Sequence, residues 1–205
     1  MEQRTQEWFD ARLGKVTASR VADVIAKTKT GVSTSRQNYL TQIVTERLTG
    51  KKADGGYTNK AMEDGIERED AARSLYELKY NEVKEVGFID HPTVAMSGAS
   101  PDGLIDDGRG VLEIKCPIET THTTTLMTDK VPSKYIPQIQ WQMACTGAKY
   151  AHFVSYNPNF PDNMVLFVKT IFRDDEYIKM LVDEILTFTK EVDETILKLK
   201  ELKNG

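Results

Sequence analysis

The chain has 205 residues, 40% of them hydrophobic and 28% charged, with a net charge of −4. That length suits one domain with a real core. The acidic balance argues against a protein that coats nucleic acid, but leaves room for an enzyme with a local basic channel.

No apolar run approaches a membrane span, and MEQRTQEWFDARLG lacks the basic-then-apolar order of a signal peptide, so a cytoplasmic protein without membrane contact is expected. Cys116 and Cys145 form no C-x-x-C, which argues against zinc ribbons and iron–sulfur clusters and suggests a reducing compartment.

Thr5 to Leu13 reads as a short helix stopped by Gly14. Thr17 and Ser19 are placed to cap a second, with Val21, Val24 and Ile25 at helical spacing. Ser35 is read as the cap of a third, which carries Tyr39, Ile43, Val44 and Leu48 and stops at Gly50. Lys51 to Lys60 is a loop. A longer helix runs from about Asn59 to Tyr80, with Ala61, Met62, Gly65, Ile66, Ala72, Leu75 and Tyr76 as its inner stripe.

The period then changes. Val83–Ile89, Val94–Met96, Gly103–Ile105 and Val111–Ile114 read as strands, the last two joined by a turn at Asp106 to Gly110. Thr120 to Asp129 is threonine-rich and reads as a loop or weak helix. Ser133 to Cys145 reads as a helix despite Pro137, and Gly147 ends it. Ala151–Tyr156 and Met164–Phe172 are apolar strands. Asp174 to Lys203 is a long amphipathic helix with Ile178, Leu181, Ile185, Phe188, Val192, Ile196 and Leu199 on one face. This order predicts a mixed α/β fold, a central mixed β-sheet flanked by helices, as one domain over 1–205: a helical part to about 80, then the core.

SPDGLIDDGRGVLEIKCP, Ser100 to Pro117, sets charges inside an otherwise apolar hairpin. Glu113 and Lys115 are two apart on a strand and leave the same face, while Leu112 and Ile114 point to the other. A hairpin turning at Asp106 to Gly110 brings Asp102 close to Glu113. Two carboxylates converging in this way repel unless a cation sits between them. Their hard oxygen ligands suit magnesium or manganese, with the Ile114 carbonyl a further candidate ligand and Lys115 beside the attacking water or the phosphate. Taken alone, the spacing also occurs on solvated strands; the flanking Val111, Leu112 and Ile114 argue for a sheet interior.

These residues resemble the PD-(D/E)xK motif as it stands in the phage lambda exonuclease, or YqaJ-type viral recombinase, family. Three further stretches support the likeness: W-x-x-x-R-L-G-x-V-T-A-S (Trp8 to Ser19), G-x-x-x-E-x-x-A-R (Gly65 to Arg73) and Y-x-x-Q-x-Q (Tyr135 to Gln140). The resemblance implies a restriction-endonuclease-like core and a magnesium-dependent 5′→3′ exonuclease. Such an enzyme acts on linear double-stranded DNA, releasing mononucleotides and leaving a 3′ single strand for recombination.

It implies Asp102 and Glu113 as metal ligands, assisted by the Ile114 carbonyl, and Lys115 as the catalytic lysine, with two Mg2+ ions per site (Mn2+ an alternative). Glu69 would reach the site from the long helix through a water on the ion, and Gln138 would hold Lys115 or the water, with Gln140 its alternative. Arg12, Ser19 and Ser100 would hold the 5′-terminal phosphate. A homotrimer threaded by DNA, a single-strand annealing protein as partner and a phage or prophage setting are further implications. A structure- or site-specific endonuclease on the same core, or a non-catalytic DNA-binding protein, are the rival readings. His91, His122 and His152 show no ligand spacing, and Trp8 reads as packing or an interface.

Overall fold

The structure, a computed structural model, describes residues 2–29, 31–53 and 60–202, and the side chains of 60–67 lie outside that description. The outer part of the 51–60 loop and the first half of the long-helix stripe (Ala61, Met62, Gly65, Ile66) therefore fall outside it. The elements in chain order are α1 (Gln6–Arg12), β1 (Val16–Thr17), α2 (Val21–Val24), β2 (Lys27–Thr28), β3 (Gly31–Val32), α3 (Thr34–Thr49), α4 (Lys60–Lys79), β4 (Ile89–Asp90) and β5 (Ser97–Ala99). There follow β6 (Gly103–Ile105), β7 (Gly110–Lys115), α5 (Glu119–Thr128), α6 (Ile136–Thr146), β8 (Tyr150–Tyr156), β9 (Leu166–Phe172) and α7 (Asp175–Glu201). The fold is mixed α/β, as expected.

The main sheet runs β6-β7-β8-β9. β6 and β7 form the anticipated antiparallel hairpin, β8 lies parallel to β7, and β9 returns antiparallel. A parallel neighbour needs a crossover, and α5 with α6 supply it. Alternation along β7 sorts its side chains. Leu112 and Ile114, with Val154 of β8, pack against Ala72 and Tyr76 of α4. Val111, with Ala151 and Phe153, packs against Ile139 and Met143 of α6. Glu113 shares the α6 face with Val111, which later decides what it meets.

A second cluster joins α2, α3, α6 and α7 beside the small β1-β5-β4 sheet. α7 buries Ile178, Leu181, Ile185, Phe188 and Val192 as its period predicts; Ile196 is half-buried and Leu199 is exposed, because the helix outruns its partners. Phe188 stacks on Tyr39 of α3 at 5.5 Å between ring centroids. The buried Arg36 of α3 meets both Glu191 oxygens at 2.7 and 3.0 Å and the Val24 carbonyl at 3.1 Å, so its charge is paired rather than stranded.

Four local expectations are corrected. Ser33, not Ser35, caps α3, its hydroxyl accepting from the Arg36 N–H. Neither Thr17 nor Ser19 caps α2; a 3-10 turn at Ala18–Arg20 leads into it without a side-chain cap. Val83–Ile89 is not one strand. It crosses from the edge of one sheet to the other, so it makes a single bridge, Lys84 with Leu104, before β4. Val94–Met96 is a turn closed by the His91 ring, whose Nδ1 accepts from the Thr93 and Val94 N–H groups. Val94 is apolar because it is buried, and β5 is instead Ser97–Ala99.

The threonine-rich segment resolves as the helix α5. Its hydroxyls bond the carbonyls four residues back, and its buried His122 bridges the Ser155 hydroxyl and the Met164 carbonyl, both at 2.8 Å. Pro137 is tolerated because it sits in the first turn of α6, where its missing N–H is not needed.

Phe188→Ala should destabilise the protein by about 3–5 kcal/mol in urea unfolding, while Leu78→Ala, on the exposed side of α4, should stay within about 0.5 kcal/mol.

Candidate active site

Asp102 precedes β6 and faces β7 across the hairpin, where Gly103 is registered with Leu112. Its N–H donates to the Leu112 carbonyl at 3.1 Å, and its Oδ2 accepts the Ile114 N–H at 2.6 Å. Those two bonds aim the carboxylate along the end of β7. Glu113 is 1% exposed. It forms an ion pair with Lys115 through Oε1. The same oxygen accepts from Gln138 Nε2 at 2.5 Å, and Oε2 accepts from Gln142 Nε2 at 2.5 Å.

The charges shape one another. Asp102 is pushed up to about 8, first by burial and then by the negative charge of Glu113. Burial works to lower the Lys115 pKa, but Glu113, Asp102 and Glu69 together hold it above its ordinary value, so the lysine stays a cation. Glu69 on α4 is raised by burial, an effect opposed by Arg4 and Lys115 and reinforced by Glu113. Its carboxylate pairs with Arg4.

The sequence readings thus meet in one place: Asp102, Glu113, Lys115 and Gln138 are in direct contact or facing, and Glu69 lies within their field. Gln140 does not take part. Its amide donates to the Phe172 carbonyl at 2.9 Å and its oxygen accepts the Asp174 N–H at 3.0 Å, tying α6 to the start of α7.

Beside this centre, Arg12 Nη1 and Trp8 Nε1 both donate to Ser100 Oγ, at 3.1 and 2.9 Å. The Arg12 guanidinium lies 4.1 Å above the Trp8 ring. Ser19 is exposed, its hydroxyl 3.4 Å from that of Thr17, and it lines with Arg12 a cavity of about 560 Å³. Lys15, Arg20, Lys51 and Lys52 also line it, against Asp10 and Glu46, so that among the described residues basic side chains outnumber acidic ones in this cleft of an acidic protein. Among the described residues no carboxylate forms a salt bridge with Arg12.

Two contacts were missed from sequence. Gln142 carried a signal, its four-residue spacing from Gln138 on one helix; Arg4 carried none. The histidines are structural: His122 braces α5, His91 stacks on Trp141 at 4.6 Å, and His152 meets the Tyr76 hydroxyl at 2.6 Å.

The donor chemistry fits a hard divalent cation. Two carboxylates face one another so that the charge of Glu113 adds to burial in disfavouring the Asp102 carboxylate, the crowding that such an ion relieves. Among the described residues no cluster of three or more Asp, Glu, His or Cys side chains could hold one. The side chains therefore offer two carboxylates, and the remaining positions fall to main chain, water and phosphate, as is usual for magnesium.

A buried glutamate, a half-buried aspartate facing it and a lysine, mounted on the hairpin of a mixed sheet between α4 and α6, define a nuclease. The chain belongs to the YqaJ-like viral recombinase domain family, whose model matches residues 7–149. It is similar to an alkaline exonuclease from Laribacter hongkongensis, with 48% identity over 98% of this chain and 100% of that one, at a TM-score of 0.89. The same relative in complex with dAMP superimposes at 0.90. A phage-related exonuclease from Haemophilus somnus shares the fold at 15% identity, covering 90% of this chain and 96% of its own, at a TM-score of 0.70. No curated protein sequence matches the chain. The family implies dependence on a divalent metal. Among the described residues no helix is long and apolar enough to cross a membrane.

A raised carboxyl pKa stabilises the fold below the unfolded value, near 4, and that contribution is lost as pH rises through about 8. In chelator the protein should therefore lose thermal stability from pH 4 to 8. Asp102→Asn should flatten that decline, and added Mg2+ should raise Tm more at pH 8.5 than at pH 6.

Proposed function

We propose that this chain is a metal-dependent 5′→3′ exonuclease that degrades one strand of linear double-stranded DNA. The observation that carries the reading is the convergence of Asp102, Glu113 and Lys115 in a chain 48% identical, along its length, to an alkaline exonuclease. That relative's complex with dAMP supports mononucleotides as products. Mg2+, two ions per site with Mn2+ as substitute, is the proposed cofactor, held by Asp102, Glu113 and the Ile114 carbonyl.

When bound, the ion activates water and neutralises charge on the phosphate. The chain's own groups do the rest. Lys115, kept protonated by its acidic neighbours, sets a fixed positive charge beside the phosphodiester. Gln138 and Glu69 orient the attacking water. Arg12, Ser19 and Ser100 take the 5′-terminal phosphate: a planar guanidinium in no salt bridge among the described residues, with two hydroxyls, suits a terminal phosphate dianion. Anchoring that phosphate would set which bond lies over the carboxylates, and so the 5′ preference.

We propose further that residues 1–205 act as one nuclease domain in the cytoplasm of a phage- or prophage-bearing bacterium. There the chain would form a homotrimer that stays on its duplex, and would hand the 3′ strand to a single-strand annealing protein.

Digestion of a linear duplex labelled at each end tests the reading. With Mg2+ the 5′ label should leave as mononucleotide while the 3′-ended strand persists; chelator should stop the reaction, and a closed circle should stay intact. Release of both labels at equal rates, or cutting of the circle, would overturn it. Lys115→Ala and Glu113→Gln should each lower kcat by about 10²–10⁴-fold. A 5′-phosphorylated end should be cut faster than a 5′-hydroxyl end, and Arg12→Ala should shrink that difference.

A further inference from the structure

Gln138 and Gln142 are four residues apart on α6 and therefore on one face of it. Each donates its amide to a different oxygen of the same carboxylate, Gln138 to Oε1 and Gln142 to Oε2 of Glu113. Their surroundings differ. Gln138 is half-buried, and its oxygen of Glu113 is shared with Lys115, on the open side of the centre. Gln142 is fully buried, in a helix whose neighbouring side chains Ile139, Trp141, Met143 and Ala144 are apolar core.

Its own carbonyl oxygen Oε1 is buried and has no hydrogen-bond partner among the described residues. A buried amide that leaves its acceptor unsatisfied is costly in a core position where an isosteric methionine would fit. The one bond that justifies it is the bond to Glu113.

We infer that Gln142 is the positioning residue of the site: it holds the Glu113 carboxylate in its metal-binding orientation throughout the cycle, while Gln138 exchanges its bond to Glu113 for one to water or substrate. The inference rests on the nuclease reading above and deepens it. A carboxylate held through one oxygen alone can still turn about its last bond. A donor on the closed side fixes the plane of the carboxylate and would leave Oε1, on the open side, for a cation. Partners of metal ligands placed in this way typically change metal affinity by about 10–100-fold when removed. Gln138 can leave because Lys115 still neutralises Oε1; Gln142 has nothing to exchange for, being shut off from solvent.

The two glutamines should therefore separate in experiment. Mn2+ binding is measured directly on the free protein by electron paramagnetic resonance, alongside the Mn2+ dependence of kcat on a 5′-phosphorylated duplex. Gln142→Met, near-isosteric but without a donor, should weaken Mn2+ binding at least tenfold and recover most of kcat at saturating Mn2+. Gln138→Met should leave Mn2+ affinity within about threefold and lower kcat at saturation. Gln142→Asn, which keeps the amide but withdraws it by one methylene, should fall between parent and Gln142→Met, and it serves in place of Gln142→Met should that variant fail to fold.

Unchanged Mn2+ affinity in the Gln142 variants, or the same pattern for both glutamines, overturns the inference while leaving the nuclease reading in place. Failure of the parent protein itself to bind Mn2+ or to digest DNA would overturn that reading and the inference together.

Discussion

A carboxylate inside a β-sheet is the constraint around which the active half of the molecule is arranged. Glu113 lies on a central strand with 1% of its surface exposed, where an uncompensated charge would be prohibitive. The fold answers with a lysine two residues along the same strand and two amides from the helix packed on that face. None of these suffices alone. The lysine reaches only one oxygen, and the amides carry no charge. Together they make a pre-set half-shell that a divalent ion can complete from the open side.

That arrangement explains features which would otherwise look like flaws. Three glutamines follow one another at alternate positions of α6, two of them among the most buried side chains of the helix. Gln140 knits the helix to the residues leading into α7, whereas Gln138 and Gln142 face the sheet. One helix thus joins the N-terminal helical cluster, the long C-terminal helix and the strand that carries Glu113 and Lys115. α4 approaches the same strand from the other side, burying Leu112 and Ile114 and presenting Glu69 at the rim. The N-terminal segment closes that rim: Gln3 donates to the Val86 and Pro101 carbonyls, each at 2.8 Å, and Arg4 pairs with Glu69.

Much of this was legible beforehand. Alternation in Leu112–Lys115 announced a strand with charges on one face. The helical period of α7 announced its buried line from Ile178 to Val192, and the D-G-R-G turn announced the hairpin. The failures share a cause. Val83–Ile89 is apolar and β-rich, but strand character needs a partner along its length, and this segment switches partners midway. Val94 is apolar for burial in a turn. α5 was one of two readings, a loop or a weak helix, because threonines have low helix propensity; it forms because burial of His122 and Thr125 outweighs that preference.

By itself the sequence determined the mixed α/β class and the carboxylate–lysine hairpin, because these follow from short-range periodicity and from motifs a few residues wide. Only the tertiary structure decided which glutamines touch Glu113, that Arg4 covers Glu69, and that Trp8, Arg12 and Ser100 share one hydroxyl. Those contacts join residues separated by 25 to 92 positions, and their partners are selected by how helices seat on the two faces of the sheet, which no local pattern encodes.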